Sequence, residues 1–554
     1  TARTVSQDVK KIVTAGEQEL NKLKAAGTQE WEKLKTTAEV KLDLIKNPER
    51  VALRARYNTE NARKQTPSSV YVGPALAAEE QQIIQKRLAL TYQNTAQFLA
   101  GKLPANVTLS AQHQPRIGIV ASGGGYRAMI ATLGFLMGLE KIGVLNSALY
   151  LSALSGSTWL LAPWTSLNLS LADTNNYLRQ YSANSQQLLD PITDQAQLQK
   201  VANNLIRKLA FNDPLSSIDL YGALIANKIF GSLPNRQNLY LTDQAANLQT
   251  GNRLFPIYTA IEPAAKEHYR WYEFTPYRFG SADLNHYIDI WGIGRSFQNG
   301  QAITWPTLEG DQYSPDMPLG FLLGICGSAY TVSIDELLKL MSKAQLNNTQ
   351  KIALAALSAH AKAENSGGFR VYPAFVPNFT AGLSSSPIAQ AREIKLVDAG
   401  LDTNLPFMPL VDGRRQLDVL IALDASNPIE SGQALQIAAQ RAQERGYKFP
   451  KLDPAAIAKL DQSSFTVFSD PDPATPTVIY VPLVRDNSLA GLAQHPTLSQ
   501  FDPQVCANTS FCSTFNFKYS DAQFEQLRAA AEFNVVANQD NFWQAIAAAV
   551  TKKQ

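Results

Sequence analysis

Residues 147–164 read SALYLSALSGSTWLLAPW: an apolar run, a Ser-Gly-Ser triplet and a second apolar run. The first run is typical of a buried strand, and the second predicts a helix that begins near Ser157. A sharp turn from strand to helix lifts one side chain out of the packed layer, and crowding there requires small neighbours such as Ala153 and Gly156. The stretch therefore predicts Ser155 as an exposed nucleophile at a positive helix end, although a serine in such a turn is also a common helix cap.

A second strand–turn–helix pattern lies just upstream, in RIGIVASGGGYRAMIATLGFLMGLEKI (116–142). Residues 116–120 predict a buried strand, and a helix is expected from Tyr126 to about Ile142. The three glycines between them leave bare N–H groups that suit a phosphate or the oxyanion of an acyl-transfer intermediate. The stretch lacks the spacing of both nucleotide-binding glycine motifs, which favours the oxyanion. Two such units in about fifty residues indicate an α/β core with neighbouring strands.

A serine nucleophile needs a base, and Asp398 is a candidate. The buried strand predicted at 394–397 ends in Asp398, directly before a small-residue turn, so the carboxylate is expected to be rigidly held. An aspartate that only forms the turn is the alternative interpretation. Chain order also permits an α/β-hydrolase triad of Ser155, Asp398 and His495. None of the histidines lies in a recognisable catalytic pattern; they are His113, His268, His286, His360 and His495.

Composition excludes several classes. The 554 residues carry a net charge of +3, which gives no general attraction to nucleic acid. Three cysteines are too few for a disulfide framework, and Cys506 and Cys512 are open to pairing or to separate thiols. No apolar stretch reaches the roughly 18 residues of a spanning helix. We therefore expect a soluble or peripheral protein, secreted or cytoplasmic.

Residues 1–70 predict an amphipathic helical extension. One apolar stripe recurs at helical spacing, and the opposite face mixes Lys and Glu. The helix either packs on its own domain or lies on a membrane, which a cluster of lysines would assist. The stripe consists of Leu20, Leu23, Gly27, Trp31, Leu34, Ala38, Leu42 and Ile45, and the lysines are Lys10, Lys11, Lys22 and Lys24.

Three motifs together resemble the catalytic domain of the cytosolic phospholipase A2 group and of the related fungal lysophospholipases (phospholipase B): SGGGYRA (122–128), LSGSTW (154–159) and VDAG (397–400). Segments between about 85 and 550 agree, among them FPIYTAIEPAA (255–265), WYEFTPYRFGS (271–281) and DVLIALDASNP (418–428). The resemblance implies a central, mostly parallel sheet flanked by helices, of the patatin and cytosolic phospholipase A2 type. The catalytic domain is expected over 84–554, with a helical cap within about 165–390.

The resemblance also implies a mechanism without histidine, metal or cofactor. Ser155 is the expected nucleophile and Asp398 the general base. The backbone N–H groups of Gly124 and Gly125 are expected to form the oxyanion hole, and Arg127 to meet the substrate phosphate. The implied reaction is cleavage of a fatty-acyl ester of a phospholipid or lysophospholipid, at a membrane or micelle surface, through an acyl-serine.

Departures from the family pattern keep alternatives open. Ala153 stands where a glycine is usual, and residues 425–428 (ASNP) lack a second family arginine. A neutral-lipid lipase or esterase on the same fold is therefore an alternative, as is a catalytically silent lipid-binding protein. The short helical segment before the core is not expected to be a calcium-binding C2 domain.

Overall fold

The computed structural model describes residues 48–184, 192–263, 269–328, 373–429, 432–514 and 516–553. The predicted stripe between Leu20 and Ile45 lies outside these residues, as does the part of the predicted cap at 329–372. The described part of the predicted extension contains one helix, Pro48–Tyr57, which contacts the helix at Gln195–Ala210, within the predicted cap.

In chain order the described strands are β1 (Tyr71–Val72), β2 (Ile117–Ala121), β3 (Ala148–Ala153), β4 (Phe255–Pro263), β5 (Tyr269–Phe274), β6 (Arg278–Ser281), β7 (His286–Asp289), β8 (Phe297–Gln298), β9 (Gln301–Ala302), β10 (Trp305–Thr307), β11 (Gly310–Gln312), β12 (Ala374–Pro377), β13 (Glu393–Asp398), β14 (Val419–Asp424), β15 (Thr466–Phe468) and β16 (Thr477–Pro482). Twelve of them form one mixed sheet in the spatial order β1-β7-β6-β5-β4-β3-β2-β14-β16-β15, with β13 pairing on β4 and β12 on β13. Two further pairs, β8 with β9 and β10 with β11, form small ribbons.

The centre of the sheet is parallel, which confirms the predicted fold class. The run β4-β3-β2-β14-β16 pairs in parallel throughout, and β2, β3, β14 and β16 are buried along their whole lengths. Parallel strands covered on both faces read as continuous apolar runs, and this explains the apolar strand at 148–153. The two flanks are antiparallel, β5 to β7 with β1 on one side and β15 on the other.

Helices cover both faces of this sheet. Along β2, Ile119 and Ala121 belong to one core cluster and Val120 to the other, as alternation across a strand requires. The described α-helices are α1 (Pro48–Tyr57), α2 (Ala78–Leu99), α3 (Gly125–Lys141), α4 (Gly156–Ser166), α5 (Leu171–Asn184), α6 (Gln195–Ala210), α7 (Ser217–Ile229), α8 (Ala245–Leu248), α9 (Leu319–Cys326), α10 (Met408–Val411), α11 (Gln433–Glu444), α12 (Pro454–Ile457), α13 (Pro503–Thr509), α14 (Asp521–Val536) and α15 (Gln539–Lys553).

Glycines let α3 approach α14 closely. A Cβ atom on Gly134 would stand 2.1 Å from the carbonyl oxygen of Arg528, so no side chain fits there. This contact fixes α3, whose first turn follows the glycine loop.

Within the predicted cap, the apolar face of α6 is buried in the protein. Leu198, Val201 and Leu205 are at most 3% exposed and belong to the larger core cluster. This face packs inside the molecule rather than meeting lipid. Within the described residues, no helix has the length and apolar character needed to cross a membrane.

Candidate active site

Ser155 lies in the predicted turn between β3 and α4. Its backbone has φ 48° and ψ −130°, a positive φ that a non-glycine residue rarely adopts. Its N–H donates to the carbonyl oxygen of Cys326 (3.1 Å). A strained strand-to-helix turn held by tertiary contacts is the geometry in which hydrolases present a nucleophile.

The expectation that Ser155 is exposed is wrong for this structure. Ser155 lies two residues beyond the end of β3, but the residue is only 2% exposed. Gly123 and the carbonyl of Cys326 pack against it. Within the described part of the chain its buried Oγ has no hydrogen-bond partner.

Asp398 lies on the same edge of β4 as the end of β3. β5 occupies one edge of β4; on the other edge, β3 pairs as far as Tyr258, and β13 then pairs at Ala260 and Ile261. The end of β3 and the end of β13 therefore meet head to head along one edge of β4. This brings Ser155, two residues beyond β3, close to Asp398, the last residue of β13.

The Asp398 carboxyl group is buried and oriented. The residue is 0% exposed, and its Oδ1 accepts the N–H of Gly400 (2.8 Å). Its own N–H donates to Oγ of Ser328 (2.9 Å). Burial, and then the charge of Asp398, raise the pKa of the Cys326 thiol. The segment 326–328 thus contacts Ser155 through its first residue and Asp398 through its last.

Asn404 lies between the two turns, and the sequence analysis missed it. Its Oδ1 is 2.8 Å from where a Cβ atom on Gly123 would stand and 2.9 Å from the corresponding position on Gly400. The Cβ position on Gly123 is also 3.1 Å from Ser155 Cβ, and the Cβ position on Gly400 is 3.1 Å from Asp398 Oδ1. Ser155 and Asp398 thus lie around one amide side chain. No local pattern distinguishes this asparagine from other polar turn residues.

The glycine loop lies directly against the turn that contains Ser155. Gly124 and Gly125 have φ 135° and 62°, and α3 begins at Gly125. A Cβ atom on Gly125 would stand 2.6 Å from the carbonyl oxygen of Thr514, and one on Gly156 would stand 1.9 Å from that of Gly125. Only glycine fits these positions, and the backbone N–H groups start a helix next to Ser155, where the helix dipole favours negative charge.

Arg127 lies on the first turn of α3 and is 1% exposed. Its Nε donates to the carbonyl oxygen of Ala425 (2.8 Å), and its Nη1 to the carbonyl oxygen of Cys512 (2.8 Å) and to Oγ1 of Thr514 (2.9 Å). Nη2 lies 2.8 Å from where a Cβ atom on Gly124 would stand. The guanidinium therefore braces the glycine loop, and contact with a substrate phosphate stays a prediction.

The cysteines left open by the sequence are paired: Cys506 and Cys512 form a disulfide, and Cys326 is a buried thiol. The disulfide closes a short loop, and the Cys512 carbonyl at its end is an acceptor of Arg127. Within the described residues, no group of three or more His, Cys, Asp or Glu is arranged to hold a metal ion.

The described histidines have other neighbours. His495 stacks edge-on against Phe533 of α14 (5.5 Å between ring centroids), and its Nδ1 accepts the N–H of Thr497 (3.3 Å). His286 contacts Ser385, and His113 contacts Ser110. None of these contacts involves Ser155. His268 and His360 lie outside the described residues.

Known proteins are similar to this chain in sequence and fold. The lysophospholipase catalytic domain family matches residues 117–554. Human cytosolic phospholipase A2 beta is 25% identical over 551 residues, which cover 88% of this chain and 67% of that protein. Human cytosolic phospholipase A2 delta is 24% identical, covering 87% and 64%. Human GIVD cytosolic phospholipase A2 in complex with methyl gamma-linolenyl fluorophosphonate superimposes with a TM-score of 0.66 at 25% identity, covering 88% of this chain and 66% of that one. The chain thus spans about two thirds of the length of these relatives.

Proposed function

Because the chain belongs to the family of lysophospholipase catalytic domains, we propose that it is a serine hydrolase that cleaves fatty-acyl esters of phospholipids or lysophospholipids. The carrying observation is the meeting of β3 and β13 along one edge of β4, beside the glycine loop. It supports a Ser155–Asp398 dyad at a buried position from which bulk water is largely excluded.

The proposed reaction is acyl transfer. Asp398 accepts the Ser155 proton while Oγ attacks the ester carbonyl, and the N–H groups of Gly124 and Gly125 bind the oxyanion. The lysolipid or glycerophospho group leaves with the proton, and water then hydrolyses the acyl-serine with Asp398 again as base. One oxyanion donor typically contributes about 2.7–4 kcal/mol to lowering the barrier. The substrate is presented at a membrane or micelle surface.

Neutral esters are the second candidate substrates, and a specific observation favours them. Two donor nitrogens of Arg127 already contact protein acceptors, and residues 425–428 supply no second arginine. A site with less positive charge at the headgroup discriminates less between phosphate-bearing and neutral esters.

The test is a product analysis with phosphatidylcholine, lysophosphatidylcholine and a triglyceride. We expect the wild type to release fatty acid, and Ser155→Ala and Asp398→Asn each to reduce turnover by about 10³-fold or more, as loss of a nucleophile or its base does. A fluorophosphonate probe should label the wild type and not Ser155→Ala.

His495→Ala is the matched control, since a Ser–His–Asp triad would lose several orders of magnitude on its removal. A dyad predicts unchanged turnover. An unlabelled, inactive wild type would instead support the lipid-binding alternative.

A further inference from the structure

Three buried hydroxyl groups lie where the nucleophile turn meets the glycine loop. Ser157, in the first turn of α4, points its Oγ at the carbonyl oxygen of Ser122 and donates to it at 2.6 Å. Thr132 of α3 places its Oγ1 2.9 Å from the same Ser157 Oγ. All three residues are at most 1% exposed. The Ser157–Ser122 hydrogen bond joins the two turns directly.

The direction of these hydrogen bonds follows from the number of protons that each hydroxyl group can donate. A serine hydroxyl has one proton, and that of Ser157 is committed to the carbonyl of Ser122. Thr132 must therefore donate to Ser157. Removing the Thr132 hydroxyl would take away the hydrogen bond that orients Ser157 and leave the other groups in place.

Ser122 is in turn hydrogen-bonded to the end of β14. Oγ of Ser122 accepts the N–H of Ala425 (2.7 Å), and the Ser122 N–H donates to the carbonyl oxygen of Leu423 (3.1 Å). The carbonyl of Ala425 in turn accepts from Nε of Arg127. The entry to the glycine loop is thus tied to α4 on one side and to the end of β14 on the other.

We propose that Thr132, Ser157 and Ser122, here called the hydroxyl chain, are positioning residues that hold the glycine loop in register with Ser155. The inference rests on the proposed function and deepens it. The oxyanion donors must lie about 2.7–3.1 Å from the developing charge, and a misplacement of about 1 Å can reduce a rate 10²-fold. Because the hydroxyl chain touches neither substrate nor reacting atoms, its loss lowers kcat while ground-state binding is preserved.

Thr132 offers a matched pair of variants. Thr132→Val removes the hydroxyl at nearly constant volume, and Thr132→Ser keeps the hydroxyl and removes the methyl group. We expect Thr132→Val and Ser157→Ala to lower kcat by about 10- to 100-fold with KM changed less than about threefold, and Thr132→Ser to stay within about threefold of wild type. The measurement is steady-state hydrolysis of lysophosphatidylcholine and of a neutral ester, with thermal unfolding of every variant.

Ser314→Ala is the control for losing a buried serine hydroxyl, because Ser314 is fully buried and donates to the carbonyl of Gly294 (3.3 Å) away from both turns. It should alter unfolding without lowering kcat. Equal losses in Thr132→Ser and Thr132→Val would overturn the inference, because they would show that any change of packing at this position lowers kcat whether or not the hydroxyl is kept. So would a raised KM at unchanged kcat.

The two proposals fail in different ways. If the wild type hydrolyses esters and the hydroxyl-chain variants match it, the inference is wrong and the proposed function stands. If the wild type neither hydrolyses esters nor reacts with the fluorophosphonate probe, both are wrong. If Ser157→Ala does not fold, the comparison of Thr132→Val with Thr132→Ser still tests the role of the hydroxyl chain.

Discussion

Gly156 and Gly125 touch through their backbones: a Cβ atom on Gly156 would stand 1.9 Å from the carbonyl oxygen of Gly125 and 3.0 Å from its Cα. The atoms that this Cβ would meet belong to the Gly125 backbone, so they cannot rotate away as the end of a flexible side chain would. The turn that contains Ser155 can therefore lie this close to the glycine loop only because residue 156 has no side chain.

Gly156→Ala should separate the two turns and lower kcat by about 100-fold or more, because the oxyanion donors no longer align with Ser155. The control is Gly446→Ala, at an exposed helix end with φ 69° and open space around it. That variant should lose stability through backbone strain and keep its turnover. Equal kcat values for the two variants would contradict the prediction. Steady-state kinetics and thermal unfolding provide the measurements.

Arg127→Lys tests the predicted phosphate contact. If the guanidinium binds the headgroup, kcat/KM should fall about tenfold or more for lysophosphatidylcholine and clearly less for a neutral ester, because a lysine ammonium cannot reproduce the paired hydrogen bonds of a guanidinium to phosphate. Arg253→Lys is the matched control: Arg253 also donates to three protein acceptors, on Asn168, Trp164 and Leu169. Equal losses on both substrates would leave Arg127 only its role in bracing the loop.

The pairing of Cys506 with Cys512 predicts the thiol count. Denatured, unreduced protein should react with one equivalent of a thiol reagent, at Cys326, and reduced protein with three. Native protein should react far more slowly, because Cys326 is 0% exposed. Three reactive thiols without reductant would show that the loop is open. Absorbance from a chromogenic disulfide reagent measures the count.

Glu273 predicts a pH dependence of stability. Its buried carboxylate contacts Arg414 (2.6 Å) and Arg415 (3.0 Å). Burial alone would raise its pKa, but the two guanidinium groups outweigh burial and lower it from 4.5 to about 2. The unfolded chain therefore binds this proton more readily. The stabilisation is complete above about pH 4.5 and is lost as pH falls towards 2.

Glu273→Gln should lower the free energy of unfolding by about 1.5–3 kcal/mol at pH 7, and by less at pH 3, because it removes charge-assisted hydrogen bonds to Arg414 and Arg415. Both guanidinium groups keep a second carboxylate partner, Asp412 and Glu80 respectively. Glu309→Gln is the control, since Glu309 pairs with Lys64 at the surface; it should have little effect at either pH. Urea unfolding at both pH values measures the difference. A gap between wild type and Glu273→Gln that is as large at pH 3 as at pH 7 would argue against this assignment.

The elements that carry the site could be predicted locally. The strand expected at 116–120 is found at Ile117–Ala121, and the helix expected from Tyr126 to about Ile142 is found at Gly125–Lys141. Apolar runs predict strands and helices, and clustered glycines predict the turns between them. Both patterns lie within short stretches of sequence, so they can be read without tertiary information. Asp398 emerged from a strand-end pattern and from the resemblance to a family.

Tertiary contacts decided the rest. The burial of Ser155 and the position of Asn404 left no local signal, because each depends on segments far apart in the chain. The sequence placed Cys506 and Cys512 close enough to pair, but only the structure decided between a disulfide and two thiols. The antiparallel flank of β5, β6 and β7 was equally absent from the sequence-based expectations. Its strands lie outside the parallel core, where both faces are buried and the apolar signal is strongest.

By itself the sequence determined two strand–turn–helix units, a glycine loop and a serine with small neighbours. Only the folded chain brings Ser155 and Asp398 to the same edge of β4, where β3 pairs as far as Tyr258 and β13 pairs at Ala260 and Ile261. Hydrogen bonding between strands distant in sequence sets that meeting point, and no periodicity within either strand encodes it.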